Sequence, residues 1–349
     1  MIDTGKEIVQ TGSPTLHDVA REAGVSLATA SRALNGSTRK VADSLRNRVG
    51  EAADRLGYTA NRSAQATARG TSGIIALLVA DIADPYFSLI ASGVARGADE
   101  AGLVVTISVT DREPEREVRL VQAMRGQRPR GIILAASRTG ESLSNELRHE
   151  LQLIAQTGTR IVALGPGAGD VRSVLVDNCG GAHALGEDLA RLGYRSAVIL
   201  GAAKGVRTSD DRIAGFTEGF ATGGGDVDRI YRGRFTRSSG MALTDKALAD
   251  GLAPGTLVFA ISDVMAIGAI VALRQAGRAV GDDVAVAGFD DIPAGSDVTP
   301  SLTTVRVPLE EVGYQSLRAA VLDAWEAPNA PQSLKVVLRD STPGPPLGV

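Results

Sequence analysis

The chain has 349 residues, a formal net charge of -3 at pH 7 and 44% hydrophobic residues, a size and composition that suit several packed α/β domains. Its one cysteine and three histidines exclude an intramolecular disulfide, and neither a metal site nor a cofactor is predicted. Residues 1–14 form a tail without an apolar run of signal-peptide length, and no stretch approaches the roughly 20 apolar residues of a membrane span. We therefore expect a cytoplasmic protein.

Two short amphipathic helices are predicted between Thr15 and Asn35. Thr15 can cap the first helix and Ser26 the second, because a hydroxyl accepts a hydrogen bond from a free amide at a helix start. Gly24 lies between them, where the chain must turn in a way that a Cβ would resist. The first helix would bury four apolar residues at i, i+3, i+4 and i+7: Leu16, Val19, Ala20 and Ala23.

The second helix has an exposed face that suits the major groove of DNA. Ala30, Ala33 and Leu34 would face inward. The outward residues are small, hydroxylated or cationic: Leu27, Ala28, Thr29, Ser31 and Arg32. Such a face can contact base edges and phosphates. An ordinary helical hairpin is the alternative, but Ala, Gly and Val stand where a close helix-turn-helix needs them.

A third helix is predicted from Val41 to Tyr58, with Gly57 ending it. It would complete a small headpiece. Residues 15–70 carry nine Lys and Arg against five Asp and Glu, a local charge of +4 in a chain of -3. This positive end can attract phosphates, although a solvated charged face would have a similar composition.

The motif resembles the lactose-repressor (LacI/GalR) family of bacterial transcription regulators, and the resemblance runs to about Asp340. It begins with Thr15-Leu16-x-Asp18-Val19-Ala20-x-x-Ala23-Gly24-Val25-Ser26-x-x-Thr29-x-Ser31-Arg32-x-Leu34-Asn35. The resemblance implies that Leu27, Ala28 and Arg32 face base edges. It implies phosphate contacts from Ser26, Thr29, Ser31 and Asn35.

The segment from Ala60 to Gly70 can form a helix but has little to bury, so alone it should fray. The segment resembles the family's hinge helix, which folds beside its dimer mate in the minor groove. The resemblance implies DNA contacts from Asn61, Ala64 and Thr67. Thr67 stands where the family has a leucine wedge. An apolar wedge helps to kink DNA, so we expect weaker bending or another wedge residue. A plain polar linker is the alternative.

Beyond Gly73, strand-like apolar runs alternate with helical segments. Continuous apolarity predicts strands that are buried on both faces in parallel sheets covered by helices. The runs are Ile74–Val79, Val104–Val109, Gly131–Ala135, Arg160–Leu164, Val174–Val176, Ala197–Leu200, Leu257–Ile261 and Val284–Ala287. A late helix is expected within Val307–Trp325.

Two such sheets in tandem are similar to the two-lobed type I periplasmic-binding-protein fold that the family shares. The predicted fold is thus a small all-α helix-turn-helix headpiece joined to an α/β core with parallel sheets. The predicted domains are a flexible tail (1–14), the headpiece (15–60), a hinge segment (61–72), an N-terminal lobe (73–176 with 306–332) and a C-terminal lobe (177–305 with 333–349).

The fold implies a ligand cleft between the lobes, at the carboxyl ends of strands. The resemblance assigns Arg212 as the effector-binding arginine and Phe235 as an aromatic that stacks on a sugar; Asp84 replaces the family's asparagine. The candidate effector residues are Asp84, Phe87, Ser137, Asp177, Arg212, Phe235, Ser262, Asp263, Phe289 and Asp290. Guanidinium, carboxylate and aromatic groups suit a sugar or polyol. Each could instead be a cap or turn residue, Asp263 above all.

One departure from the family lies after Arg160–Leu164, where Gly165-Pro166 replaces an Asp-Arg pair. The loss of that pair leaves the class of effector open. The glycines that follow lead into another strand, so they offer no helix amino terminus for a phosphate.

The resemblance implies a dimeric regulator, which we expect to be a repressor, that binds a near-palindromic DNA operator under control of a small-molecule effector. The carboxyl end lacks a leucine heptad, so no tetramer is expected. A cytoplasmic sugar-binding protein or an enzyme on the same core is the alternative. Asp290 and Asp291 could act as acid and base, but neighbours on an extended chain point in opposite directions. Control by a partner protein also stays open.

Overall fold

The computed structural model describes residues 14–35, 41–59, 72–136, 144–166, 171–326 and 334–345. The chain forms two compact units, Met1–Arg69 and Gly70–Val349. Among the described residues, no helix is both long and apolar enough to cross a bilayer.

Three helices make up the described part of the first unit. They are α1 (Leu16–Glu22), α2 (Leu27–Asn35) and α3 (Asp43–Leu56). Thr15 caps α1 as predicted, because its hydroxyl accepts from the Asp18 amide while Asp18 accepts from the Thr15 amide at 2.9 Å. The core consists of small residues: Val19, Ala20, Ala23, Ala30, Val49, Ala52 and Ala53.

The turn between α1 and α2 has the expected geometry. Gly24 has φ +62°, a conformation that side chains with a Cβ rarely adopt. Ser26 Oγ accepts from the Thr29 amide at 3.2 Å and so caps α2. An unexpected contact comes from α3, where Arg48 Nη2 donates to the Ala23 carbonyl at 2.6 Å. Arg48 thus ties the third helix to the turn.

The second unit begins with a five-stranded parallel sheet of order β2-β1-β3-β4-β5. Its strands are β1 (Ile74–Val79), β2 (Val104–Val109), β3 (Gly131–Leu134), β4 (Arg160–Leu164) and β5 (Arg172–Val174). The helices between them are α4 (Pro85–Glu100), α5 (Pro114–Arg125) and α6 (Asn145–Ala155). Strand β5 starts and ends two residues before the predicted run, because the chain leaves the sheet there to begin the next helix.

The second sheet has four parallel strands in the order β7-β6-β8-β9. Its strands are β6 (Ser196–Ala202), β7 (Asp226–Gly233), β8 (Leu257–Ala260) and β9 (Ala285–Ala287). Its helices are α7 (Asn178–Arg191), α8 (Arg207–Thr222), α9 (Arg237–Ala249), α10 (Asp263–Gln275) and α11 (Pro293–Asp297). An antiparallel ribbon of β10 (Thr304–Arg306) and β11 (Lys335–Val337) follows. Helix α12 (Leu309–Val321) returns to pack on α4.

Several strand predictions need correction. Burial on both faces is wrong for β2, where Val104 is 45% and Ile107 42% exposed, because β2 lies at the edge of its sheet. Strand β7 was not predicted, since it too is an edge strand and most of its side chains are exposed. The three-residue strands β10 and β11 were also missed.

Helices α4 and α12 approach so closely that glycine is required where they cross. A Cβ on Gly93 would lie 1.8 Å from the Glu310 carbonyl oxygen, and one on Gly313 would lie 2.1 Å from that of Ile90. Two backbones in such contact leave no room for a methyl group. This contact joins α12 to the first sheet, although α12 follows the second in sequence.

We expect Gly93→Ala to lower the free energy of unfolding by about 1–3 kcal/mol or more, because the new methyl group forces the helices apart. Urea denaturation measures the change. Gly126→Ala is the matched control, since its Cβ would find its nearest atom 3.9 Å away. Equal stability of the two variants would contradict the packing argument.

Candidate functional site

Helix α2 presents the exposed face that the sequence predicted. Leu27 is 39% exposed, and Ser26, Ala28 and Arg32 are also exposed. Ser26 Oγ and Thr29 Oγ1 lie 2.9 Å apart, so two hydroxyls stand together at the start of the helix. Ser31 is half-buried. The side chain of Asn35 and the hinge residues Asn61, Ala64 and Thr67 lie outside the described part of the chain.

Some of the arginines in the first unit form ion pairs with carboxylates of the same unit. Arg21 pairs with Asp18, and Arg55 lies 3.3 Å from Glu22. Arg32 forms no ion pair with any described residue. A guanidinium on an exposed helix face can donate two parallel hydrogen bonds to guanine or to a phosphate.

In the second unit, Arg212 of α8 is the centre of a buried polar cluster. Only 1% of it is exposed. Its Nε donates to Asn178 Oδ1 at 2.8 Å and its Nη1 to the Ile261 carbonyl at 2.7 Å. Its Cζ lies 3.9 Å from the centroid of the Phe289 ring. Arg212 therefore draws together the start of α7 and the residues that follow β8 and β9.

Asp290 is the anionic partner of Arg212. Its Oδ1 lies 2.8 Å from Arg212 Nη2, close enough for an ion pair but not aligned for a hydrogen bond. Burial raises the pKa of Asp290, and Arg212 opposes the rise. Ser262 Oγ is likewise buried without a hydrogen-bond partner among the described residues. Because a buried polar atom without a hydrogen bond costs free energy, these two atoms are candidates to accept hydrogen bonds from a ligand.

Asp263 and Asp291 hold the surrounding loops. Asp263 accepts from the Ile292 amide at 2.9 Å and from the Thr304 hydroxyl at 2.6 Å. Burial raises its pKa to about 6. Ser262 is the residue before α10 and Asp263 its first residue, so the interpretation of Asp263 as a helix cap is wrong. Asp291 contacts Arg306 and Arg339 instead of Arg212.

Asp177 has a structural contact of its own. It caps α7, because its Oδ1 accepts from the Gly180 amide at 2.9 Å. Its neighbour Asn178, which was not chosen as a candidate, is the residue that contacts Arg212. A contact between Asp177 and an effector stays a prediction, as it does for Asp263. Ser137 lies outside the described residues.

The first sheet contributes an aromatic and carboxylate group near the start of α4. Asp84 Oδ1 accepts from the Tyr86 amide at 3.0 Å and caps the helix. Phe87 is buried, and its ring meets that of Tyr86 edge-on at 5.0 Å between centroids. Burial raises the pKa of Asp84 and raises that of Tyr86 to about 12. The charges of Arg112 and Arg212 both act on Asp84.

Arg112 connects the two sheets and was not predicted. It follows β2, yet its Cζ lies 4.9 Å from the centroid of Phe235, which follows β7, and 5.9 Å from that of Phe87. It lies just past the carboxyl end of a strand, as most of the candidates do, and this position was the signal that could have found it. We call the following residues the interlobe cluster: Asp84, Tyr86, Phe87, Arg112, Arg212, Phe235, Ser262, Phe289 and Asp290.

Comparison with known proteins decides the family. Residues 15–61 match the profile described as "Bacterial regulatory proteins, lacI family", and residues 187–342 match a periplasmic binding protein-like domain. The HTH-type transcriptional regulator DegA of Bacillus subtilis is 33% identical over 313 residues, which cover 88% of this chain and 90% of DegA. The chain belongs to the lacI family. It is a DNA-binding transcriptional regulator.

Solved structures of this family have the same architecture. The lac repressor dimer bound to operator and the anti-inducer ONPF has a TM-score of 0.80 at 25% identity, covering 95% of this chain and 99% of that one. The complex of transcriptional regulator CelR with cellobiose has a TM-score of 0.68 at 28% identity, with coverages of 94% and 99%. The predicted fold class and the resemblance are confirmed. Since the relatives are transcriptional regulators, the chain is not an enzyme.

Proposed function

We propose that this regulator is a homodimeric repressor that acts in the cytoplasm, where two headpieces read the half-sites of a near-palindromic operator. The exposed side of α2 would enter the major groove, with Arg32 at a base edge and the hydroxyls of Ser26, Thr29 and Ser31 at phosphates. The lac repressor relative was solved as a dimer on operator DNA, which supports this arrangement.

A small-molecule effector, a sugar or related polyol, would bind at the interlobe cluster. The observation that carries this proposal is that Ser262 Oγ and Asp290 Oδ1 are buried and neither accepts a hydrogen bond from a described residue, although Asp290 Oδ1 lies 2.8 Å from Arg212 Nη2. Both lie past the carboxyl ends of parallel strands, where ligands bind in open α/β sheets. Asp290 could accept from sugar hydroxyls while Arg212 holds the carboxylate in place. The CelR relative binds cellobiose, a ligand with many hydroxyl groups.

The lobes would be residues 73–176 with 306–332 and residues 177–305 with 333–349. Between the lobes the chain passes from β5 to α7. Asp291 holds the ribbon of β10 and β11, because it accepts from Arg306 of β10 at 2.6 Å and from Arg339, two residues after β11, at 2.7 Å. A ligand that binds one lobe arrangement better shifts the population toward it. The hinge segment would pass this change to the paired headpieces.

The coupling is tested by measuring operator affinity with and without a ligand found by thermal-shift screening of sugars and polyols. Linkage requires the operator to change ligand affinity by the same factor, which is typically about 5–150-fold. A ligand that binds the core but leaves operator affinity unchanged would contradict control by an effector.

We expect Arg32→Ala to reduce discrimination at one base pair of each half-site by about 1–3 kcal/mol, because a bidentate contact to a base is lost. Fluorescence anisotropy with the operator and its single-base variants measures the discrimination. Arg55→Ala is the control, since Arg55 pairs with Glu22 on the headpiece surface. If both variants discriminate as the wild type does, Arg32 does not read a base.

A further inference from the structure

The guanidinium of Arg112 lies in the interlobe cluster with a buried donor that has no acceptor among the described residues. This donor is Nε, and no described carboxylate lies within ion-pair distance of the side chain. Its Cζ lies 4.9 Å from the centroid of the Phe235 ring and 5.9 Å from that of the Phe87 ring. An aromatic face attracts a cation but offers its N–H groups no acceptor. Among the described residues, Arg112 Nε is therefore an unused donor at the place where a ligand is expected.

The backbone places this side chain there by an uncommon conformation. Asp111 has φ +53° and Arg112 φ +58°, and left-handed conformations are uncommon for residues with a Cβ. Two in succession turn the chain sharply after β2 and direct Arg112 toward the second sheet. Local strain of this kind is often found at functional sites.

The nearby carboxylates are engaged by the backbone. Asp84 accepts from the Tyr86 amide at 3.0 Å and stands at the positive end of α4, while Asp81 accepts from the Ala83 amide at 2.9 Å. Both charges act on Arg112, but the largest effect on its pKa is the lowering caused by burial. Their contacts thus leave its charge only partly compensated.

A second cation strengthens the positive field at this end of the cluster. Arg234 lies close enough to Arg112 for its charge to lower the pKa of Arg112. Its side chain is exposed and makes no ion pair with the described residues. At the other end, Arg212 is matched by Asp290 at 2.8 Å. The cluster therefore has one balanced end and one end with two cations that form no ion pair with the described residues.

We propose that Arg112 determines the specificity of the effector site by selecting a sugar that carries an anionic group, a carboxylate or a phosphate, over the corresponding neutral sugar. This inference rests on the proposed function of the interlobe cluster. Both anions accept two parallel hydrogen bonds from a guanidinium. The balanced end with Arg212 and Asp290 would hold the hydroxyl groups, and Arg112 with Arg234 would hold the anion.

The test compares matched ligands by isothermal titration calorimetry on the full chain. The probes are a panel of hexoses and pentoses, each as the neutral sugar, the uronic acid and the terminal phosphate. We expect an anionic member to bind at least tenfold more tightly than its neutral counterpart. Comparing the affinities of the uronic acids with those of the sugar phosphates shows whether the site selects a carboxylate or a phosphate. Arg112→Gln should remove the preference, while Arg119→Gln, which alters an exposed arginine of α5, should keep it.

Arg112→Lys provides a second variant that retains the charge but loses the planar donor pair, so it should show an intermediate preference. Neutral sugars that bind as tightly as their anionic counterparts would overturn this inference but leave the proposed effector site standing. A preference that survives in Arg112→Gln would overturn the role of Arg112. If no member of the panel binds the wild type, the proposed function of the cluster fails together with this inference.

Discussion

Replacing Arg212 with methionine is expected to lower the free energy of unfolding by about 3–5 kcal/mol, because it leaves a buried carboxylate without its charged partner. Asp290 is 4% exposed and Arg212 1%, so water cannot replace the lost ion pair. The substitution also removes the hydrogen bonds to Asn178 and to the Ile261 carbonyl. Denaturant unfolding of the ligand-free protein measures the loss.

Two further variants identify the cause of that loss. Arg207 lies on the same helix, half-exposed and 3.6 Å from Asp211, so Arg207→Met should cost only about 0–1 kcal/mol. Adding Asp290→Asn to Arg212→Met removes the unpaired charge and should restore part of the stability. Arg212→Met with the stability of Arg207→Met would show that the buried pair contributes little.

The affinity for operator DNA is expected to fall about 10³–10⁵-fold when salt rises from about 50 to 200 mM, if a dimer neutralises some six to ten phosphates. Residues 15–70 carry a charge of +4 although the chain as a whole carries -3, so the attraction is local to the headpiece. Anisotropy titrations at several salt concentrations give the slope of log affinity against log salt.

Single substitutions calibrate this slope. Loss of a cation that contacts a phosphate should reduce its magnitude by about one for each headpiece, and so by about two for the dimer. Arg119→Gln in α5 removes the same charge from the core and should leave the slope unchanged. An affinity that changes less than tenfold over this range would contradict binding through the phosphate backbone.

Local chemistry made the headpiece predictable from sequence. The caps at Thr15 and Ser26 and the positive φ of Gly24 depend on contacts within a few residues. The strands at the centre of the first sheet were equally predictable, since neither β1 nor β3 contains a polar or charged residue. A strand that is buried on both faces consists almost entirely of apolar residues, so its sequence is easy to recognise.

Edge strands and long-range contacts were harder to predict. Most side chains of β7 face solvent, so its charged sequence lacks the apolar run that marks a central strand. The position of Arg112 just past a strand could have marked it as a site residue. Nothing near Arg48 or Arg112 in the sequence, however, indicates which turn or ring each contacts, because packing brings those partners together. Asp263 was a candidate by its position, but only the structure shows that it holds Ile292 and Thr304.

Selection from a library of random DNA duplexes by the full-length protein tests the central claim most directly. If two copies of α2 read DNA as a dimer, the enriched duplexes will share a near-palindromic sequence, and Arg32→Ala will relax one position in each half-site. Recovery of no common sequence, or of the same sequence with the same stringency by Arg32→Ala, would contradict recognition through this helix.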